Sequence, residues 1–151
     1  SGMPDLTGLS ISDVATASTL TLAADTISVV NYTGAAAAAC TLPAATAGTI
    51  VVYAQAKDTT GGTATLSFDC AGSDVYATGS VIESRGSDEV TFDTSAAGET
   101  LLTFTPANAT TNLLTTGGQI AFICYEDGTY HIATKLAAET TQVKGAFVFA
   151  S

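Results

Sequence analysis

Basic residues are scarce in this sequence of 151 residues, which has four Lys and Arg against 14 Asp and Glu and a formal net charge of −10. Binding to nucleic acid requires clustered Lys and Arg that neutralise phosphates. The four basic residues are instead scattered along the chain as Lys57, Arg85, Lys135 and Lys144. The sequence therefore predicts no nucleic-acid partner, and its acidity is expected to favour solubility and repulsion between copies.

Long apolar runs are lacking, since no window approaches the roughly 20 apolar residues of a membrane span. The start also lacks the basic, apolar and cleavage regions of a signal peptide. No membrane partner is predicted.

Tryptophan is absent and His131 is the only histidine. Because no GxSxG, HExxH or phosphate-binding loop accompanies His131, we interpret it as structural and predict no catalytic site, no cofactor and no enzyme.

Metal-ligating patterns are equally sparse. Cys40, Cys70 and Cys124 have no CxxC or Cys/His spacing, so we expect buried free thiols in a protein made in a reducing compartment. Acidic residues are concentrated in the middle of the chain, at Asp69, Asp74, Glu83, Asp88, Glu89 and Asp93. Their spacing matches no DxDxDG loop, and calcium needs six or more converging oxygens. We predict no metal site, and the sequence leaves calcium open as the alternative.

The clearest structural signal is a hairpin in which residues 120–125 and 129–135 flank the pair Asp127-Gly128. That dipeptide predicts a tight primed turn with positive φ at Gly128. On the first strand, Ala121, Ile123 and Tyr125 alternate with Ile120, Phe122 and Cys124. Both faces are largely apolar, which predicts that the strand is buried on both sides, within a sandwich or against a partner subunit.

Other strand-like segments complete the predicted fold. Residues 49–57 and 63–70 are predicted to form a second hairpin, and residues 89–93 to pair with 100–105. Without an amphipathic helix, the pattern predicts an all-β fold, an antiparallel jelly-roll-like β-sandwich. We expect residues 1–2 to be a tag remnant, 3–18 an N-terminal arm or edge strand, and 19–151 one sandwich domain. The predicted core comprises Ile50, Val52, Leu66, Phe68, Leu102, Phe104, Ile120, Phe122, Ile123 and Ile132.

The chain ends in a hydrophobic strand that contains Phe147, Val148 and Phe149. An exposed apolar strand near a terminus would invite aggregation, and closed symmetry would hide it. These three residues are therefore the predicted oligomer interface of a homo-oligomer, with a homotrimer favoured.

Two phrases in the sequence resemble the β-domains of bacteriophage virion proteins. The first is CTLPAATAG at residues 40–48, which leads into the strand TIVVYAQA. The second is the hairpin of residues 117–132, with Tyr130 where that family often carries tryptophan. Together the phrases cover roughly residues 41 to 134, and they occur in the same order as in tail-fibre, head-fibre and capsid-decoration proteins.

The resemblance implies a structural virion protein, and the small size without a fibrous repeat favours a capsid decoration, or cement, protein. Such a protein would bind the major capsid protein on the outer surface of a phage head as a homotrimer and stabilise the shell. It would be produced in the host cytoplasm and reside on the virion.

The alternative is a receptor- or glycan-binding domain of a phage tail fibre or a surface adhesin, in which exposed Tyr76 and Tyr125 would stack on sugar rings. An enzyme ranks third, because a depolymerase would need paired carboxylates in a groove.

Overall fold

The computed structural model describes residues 9–60, 62–85, 90–106, 114–137 and 147–151, and these residues form strands, turns and loops without a helix. The strands are short and mostly built from Thr, Val, Ile and aromatic residues, which suit a pleated sheet. In chain order they are β1 Ser10–Ile11, β2 Ala15–Thr16, β3 Thr19–Thr21, β4 Thr26–Asn31, β5 Ala38–Thr41, β6 Ile50–Gln55, β7 Leu66–Asp69, β8 Val75–Tyr76, β9 Val81–Arg85, β10 Val90–Thr94, β11 Leu101–Phe104, β12 Gln119–Glu126, β13 Thr129–Ala137 and β14 Phe147–Ala150.

The strands form two sheets that pack on each other. The larger, nine-stranded sheet has the order β1-β4-β6-β12-β13-β9-β10, with β2 also paired to β4 and β8 to β13. The smaller, five-stranded sheet has the order β14-β11-β7-β5-β3. Phe68 of the smaller sheet lies 5.0 Å from Tyr53 and 5.2 Å from Phe122 of the larger one, measured between ring centroids. The predicted all-β sandwich is confirmed.

Strand pairing is mixed, where antiparallel pairing was predicted. The first strands alternate between the layers, so that β3, β5 and β7 enter the smaller sheet while β4 and β6 enter the larger one. Each sheet thus receives every second strand in the same direction, and β3–β5, β5–β7 and β4–β6 all pair in parallel. The alternation of side chains along a strand does not reveal this, because it reports the face of a strand and not its neighbour.

Two predicted strand pairs are wrong for this reason. The segment 49–57 supplies β6 and the segment 63–70 supplies β7, but these strands belong to different sheets. Likewise β10 pairs with β9, while β11 pairs with β7 and β14. The turns between the predicted partners carry the chain from one layer to the other.

The predicted core is correct at Leu66, Phe68, Leu102, Phe104, Ile120 and Phe122, each 0% exposed. The prediction for Ile123 is wrong, because this residue is half-buried on the outward side of β12. Ile132 is partly buried against that core. Prediction chose the wrong face for β6, because Val51 and Tyr53 point inward, whereas Ile50 is half-buried on the outer side.

The reason lies in Gln55, which shares the inward face of β6 and is only 2% exposed. Its Oε1 accepts a hydrogen bond of 2.5 Å from the hydroxyl of Tyr53, and its Nε2 donates a hydrogen bond of 2.5 Å to the carbonyl of Tyr32. A buried amide with its hydrogen bonds made costs little, so a polar residue can lie in the core. Val52 is buried as predicted, at 8% exposed, although it faces outward like Ile50.

Phe122→Ala is expected to lower the free energy of unfolding by about 3 to 5 kcal/mol, because it empties the space between the rings of Phe68 and Tyr76. Phe92→Ala provides a matched control, since Phe92 is 68% exposed. Urea unfolding followed by circular dichroism measures both. A loss below about 1 kcal/mol at Phe122 would contradict its central place in the core.

Candidate functional site

The outward side of the larger sheet is unusually apolar. Strand register places Ile27, Val52, Ala121 and Ala133 side by side in one row that crosses four strands. Neighbouring outward positions on β1, β4 and β6 are also apolar, whereas Gln119 of β12 and His131 of β13 are polar positions on the same side. The set, called here the apolar face, is Ile11, Ile27, Val29, Ile50, Val52, Ala54, Ala121, Ile123 and Ala133.

The middle of the apolar face is buried, since Val52 and Ala54 are each 8% exposed, and the exposed apolar side chains lie around it. Ile11 is 73% exposed at one edge and Tyr125 is 69% exposed at the end of the outward row of β12. At the far edge of the sheet, outward Phe92 is 68% and Val81 45% exposed. These four exposed side chains share the outward side of the larger sheet, but they lie near its two edges and at the end of β12 rather than in one contiguous patch.

The outward side of the smaller sheet is quite different. Its register aligns Thr19, Ala39, Ser67, Thr103 and Val148 in one row. Hydroxyl-bearing side chains dominate this row, as expected for a sheet that faces water. The sandwich thus has one solvated side and one side suited to protein contact.

The C-terminal strand is an edge strand of the smaller sheet and is largely used within the chain. Phe147 and Phe149 are 4% and 5% exposed, and their rings lie 4.9 Å from Phe104 and 5.3 Å from Tyr76. Val148 points outward and is 45% exposed. An interface at this strand stays a prediction, and of the three residues only Val148 presents an exposed side chain to a partner.

The two sequence phrases that resemble phage proteins meet in space. The N–H of Gly128 donates to the carbonyl of Ala45 at 2.8 Å, and the hydroxyl of Tyr130 donates to the carbonyl of Pro43 at 2.8 Å. The loop after β5 is therefore held against the turn of the central hairpin. The two phrases form one structural unit, which the sequence alone did not show.

Acidic side chains at this end of the sandwich are used as hydrogen-bond acceptors for the backbone. The N–H groups of three residues in the segment 45–50 donate to carboxylates, Ala45 to Asp74, Ala47 to Asp127 and Ile50 to Asp25. Within the described residues, no three His, Cys, Asp or Glu side chains converge as a metal site would require. Asp88 and Glu89 lie outside the described residues.

The turn of the central hairpin differs from the predicted type. Gly128 has φ of +84°, as predicted. A type I′ turn also needs positive φ at the preceding position, and Asp127 does not have it. The strand register instead shifts between Ile123 and Glu126, which marks a β-bulge beside the turn.

The tyrosines proposed for sugar stacking differ in their exposure. Tyr76 is 1% exposed, and its hydroxyl donates to the carbonyl of Phe68 at 2.8 Å, so its predicted exposure is wrong. Tyr125 is exposed, and its ring lies edge-on to His131 at 4.8 Å. The histidine is half-buried on the outward side of β13.

All three cysteines are free and buried. Burial raises the pKa of the Cys40 thiol to about 12. Burial, with a smaller effect of the charges of Asp69 and Asp74, raises the pKa of Cys70 to about 12. Reactive thiols need lowered pKa values and access to solvent, so these side chains serve packing rather than chemistry.

No protein-family model matches this chain, and neither a curated protein nor a solved structure is significantly similar to it. Within the described residues there is also no helix long and apolar enough to cross a membrane.

Gly128→Val is expected to destabilise the protein by about 1 to 3 kcal/mol, because a β-branched residue is strained at φ of +84°. Thr129→Val, at the next position and in a strand, is the control and should cost far less. Thermal and urea unfolding of both variants measure the difference. Equal stability of the two variants would contradict the assigned turn geometry.

Alkaline pH is expected to destabilise the fold. Thiols and phenols have ordinary pKa values of 9.0 and 10.0, and burial raises the pKa of Cys40, Cys70, Tyr32 and Tyr53 in the folded state. Above about pH 9 the unfolded chain therefore binds fewer protons than the folded one, and the free energy of unfolding falls as pH rises toward 12, by up to about 1.4 kcal/mol per pH unit for each group.

Urea titrations at pH 8 and pH 10.5 test this expectation. Cys40→Ala removes one of these groups and should make the pH dependence shallower. A free energy of unfolding that is constant between the two pH values would contradict the predicted effect.

Proposed function

We propose that this chain is a structural virion protein, a capsid decoration protein that binds the outer surface of a phage head and stabilises the shell. The observation that carries the proposal is the apolar face, which suits contact with other protein subunits. A binding surface of this kind, without a cluster of catalytic groups among the described residues, fits a mechanical role better than an enzymatic one.

The joined phrases support the phage assignment. Residues 40–48 and 117–132 resemble phage β-domains separately, and their contacts through Ala45 and Gly128 make them one unit.

The tight anchoring of the loops also supports a mechanical role. The loop of residues 42–48 is held by Tyr130, Asp74 and Asp127 through hydrogen bonds of 2.7 to 2.9 Å. Such loops do not have to be ordered when a partner binds, which lowers the entropic cost of attachment to a capsid.

The proposed partners are the major capsid protein and further copies of this chain, assembled as a homotrimer on the virion surface. Val148 is the exposed side chain of the C-terminal strand that can make such a contact, whereas the N–H of Phe149 already donates to Asp93 at 2.7 Å. The formal charge of −10 opposes binding to the packaged nucleic acid.

A second candidate is a glycan- or receptor-binding domain of a tail fibre or adhesin. It is favoured by one observation, the exposed ring of Tyr125 beside His131. An exposed aromatic ring can stack on the apolar face of a sugar. Of the two tyrosines that the sequence suggested for sugar stacking, Tyr76 is buried and Tyr125 is exposed. This candidate is therefore supported by one aromatic side chain.

Purified protein is expected to co-sediment with undecorated phage heads, and to raise the temperature at which those heads release DNA. Ala39→Lys, on the solvated side of the smaller sheet, should bind the heads as the unmodified protein does. The protein failing to co-sediment at saturating concentration would contradict the decoration role. A glycan array that gives hits abolished by Tyr125→Ala would support the second candidate instead.

A further inference from the structure

We propose that Asp127-Gly128 is a site of spontaneous aspartate isomerisation, and that the loop of residues 42–48 controls the reaction by opening. It is the only Asp-Gly pair in the chain, which has no Asn-Gly pair. The inference goes beyond the proposed function, because it concerns a covalent change within the chain that does not require a phage head.

The reaction needs only these two residues and water. The backbone nitrogen of Gly128 loses its proton and attacks the side-chain carboxyl carbon of Asp127. Water leaves, formed from the carboxyl hydroxyl and that proton, and a five-membered succinimide ring closes. A second water opens the ring at either carbonyl, which restores aspartate or gives isoaspartate, in which the chain continues through the side chain. Glycine favours the attack, because it has no Cβ to hinder approach to its nitrogen.

In the folded protein the same loop engages both reacting groups. Oδ1 of Asp127 accepts the N–H of Ala47 at 2.9 Å, which directs the carboxylate toward the loop. The N–H of Gly128 donates to the carbonyl of Ala45 at 2.8 Å, and the carbonyl of Gly128 accepts the N–H of Val75 at 3.0 Å. For the ring to close, the carboxyl group has to leave Ala47 and the nitrogen has to give up its bond to Ala45.

The two protective hydrogen bonds are lost together when the loop opens. Their partners Ala45 and Ala47 are two residues apart, and the hydroxyl of Tyr130 anchors the same loop through the carbonyl of Pro43 at 2.8 Å. Asp127 is exposed, so water reaches its carboxyl group while the sheets stay folded. Because local opening costs less free energy than global unfolding, opening of the loop sets the rate of the reaction in the folded protein.

Isomerisation also keeps the loop from closing again. Isoaspartate adds one carbon to the backbone of the hairpin turn and moves the carboxylate that accepts the N–H of Ala47. The longer turn displaces the N–H of Gly128 from the carbonyl of Ala45. The modified protein should therefore keep its two sheets, while the Ala47 amide becomes faster to exchange its hydrogen with solvent.

Isoaspartate at residue 127 is measured by labelling with an isoaspartate-specific methyltransferase and peptide mapping, after long incubation at mildly acidic pH. The folded protein should accumulate it at least about tenfold more slowly than the same protein held unfolded in guanidinium chloride. Asp127→Glu gives the background, because its longer side chain cannot close the five-membered ring.

Tyr130→Phe tests control by the loop, because it removes one anchor and keeps the ring. It should speed the reaction in the folded protein by about fivefold, the equivalent of one lost hydrogen bond. Tyr32→Phe is the matched control, since its equally buried hydroxyl donates to the carbonyl of Ala64, outside the loop, and the rate should stay unchanged.

A second pair of variants replaces carboxylates that each accept one backbone N–H at 2.7 Å. Asp74→Ala releases Ala45 of the loop and should speed the reaction, whereas Asp93→Ala releases Phe149 and should not. Circular dichroism establishes which variants are folded, and this pair decides the matter if Tyr130→Phe is not.

The proposal is overturned if folded and unfolded protein isomerise equally fast, or if the folded loop variants react no faster than the unmodified protein. It is also overturned if the controls Tyr32→Phe and Asp93→Ala accelerate the reaction as much as the loop variants, since the reaction would then proceed through global unfolding. Hydrogen exchange of the Ala47 amide, followed by NMR before and after isomerisation, tests the loss of closure, and unchanged protection would contradict it.

Discussion

The structure depends on the need of four buried tyrosine hydroxyls to find acceptors. A buried hydroxyl without a hydrogen bond costs on the order of 1 to 3 kcal/mol, so each ring can be interior only if an acceptor is fixed nearby. Three of the acceptors belong to other segments and tie them to the tyrosines, while the fourth, Gln55, lies on the same strand as Tyr53. They are the carbonyl of Ala64 for Tyr32, the side chain of Gln55 for Tyr53, the carbonyl of Phe68 for Tyr76 and the carbonyl of Pro43 for Tyr130.

These ties explain how a chain with few charged residues fixes its loops. Tyr76 of the larger sheet bonds to β7 of the smaller sheet, and Tyr130 bonds to the loop after β5. The carboxylates of Asp74 and Asp127 then anchor the N–H groups of that same loop. Buried tyrosines and hydrogen bonds to the backbone therefore fix these loops, which ion pairs between surface side chains would do only weakly.

Sequence reasoning predicted the class of fold and the inward residues of β7 and β11, because alternation reports the face of a strand directly. On β12, where both faces are apolar, it added the outward Ile123 to the inward Ile120 and Phe122. It failed at β6, where both faces are apolar and the buried Gln55 made the inward face look like the solvated one. Strand partners could not be predicted, since the crossing from layer to layer depends on contacts between distant segments. Ile50 and Val52, which the sequence reasoning chose as inward residues, lie on the outward side of β6 and belong to the apolar face.

Alternation of the first strands between two layers also constrains how the protein is made. β6 pairs with β4 on one side and with β12 on the other, and β12 is formed by residues 119–126. A nascent chain therefore carries an open edge on β6 until the central hairpin has been synthesised, and such edges promote association of incomplete chains. The formal charge of −10 opposes that association, because like-charged chains repel each other before as well as after they fold.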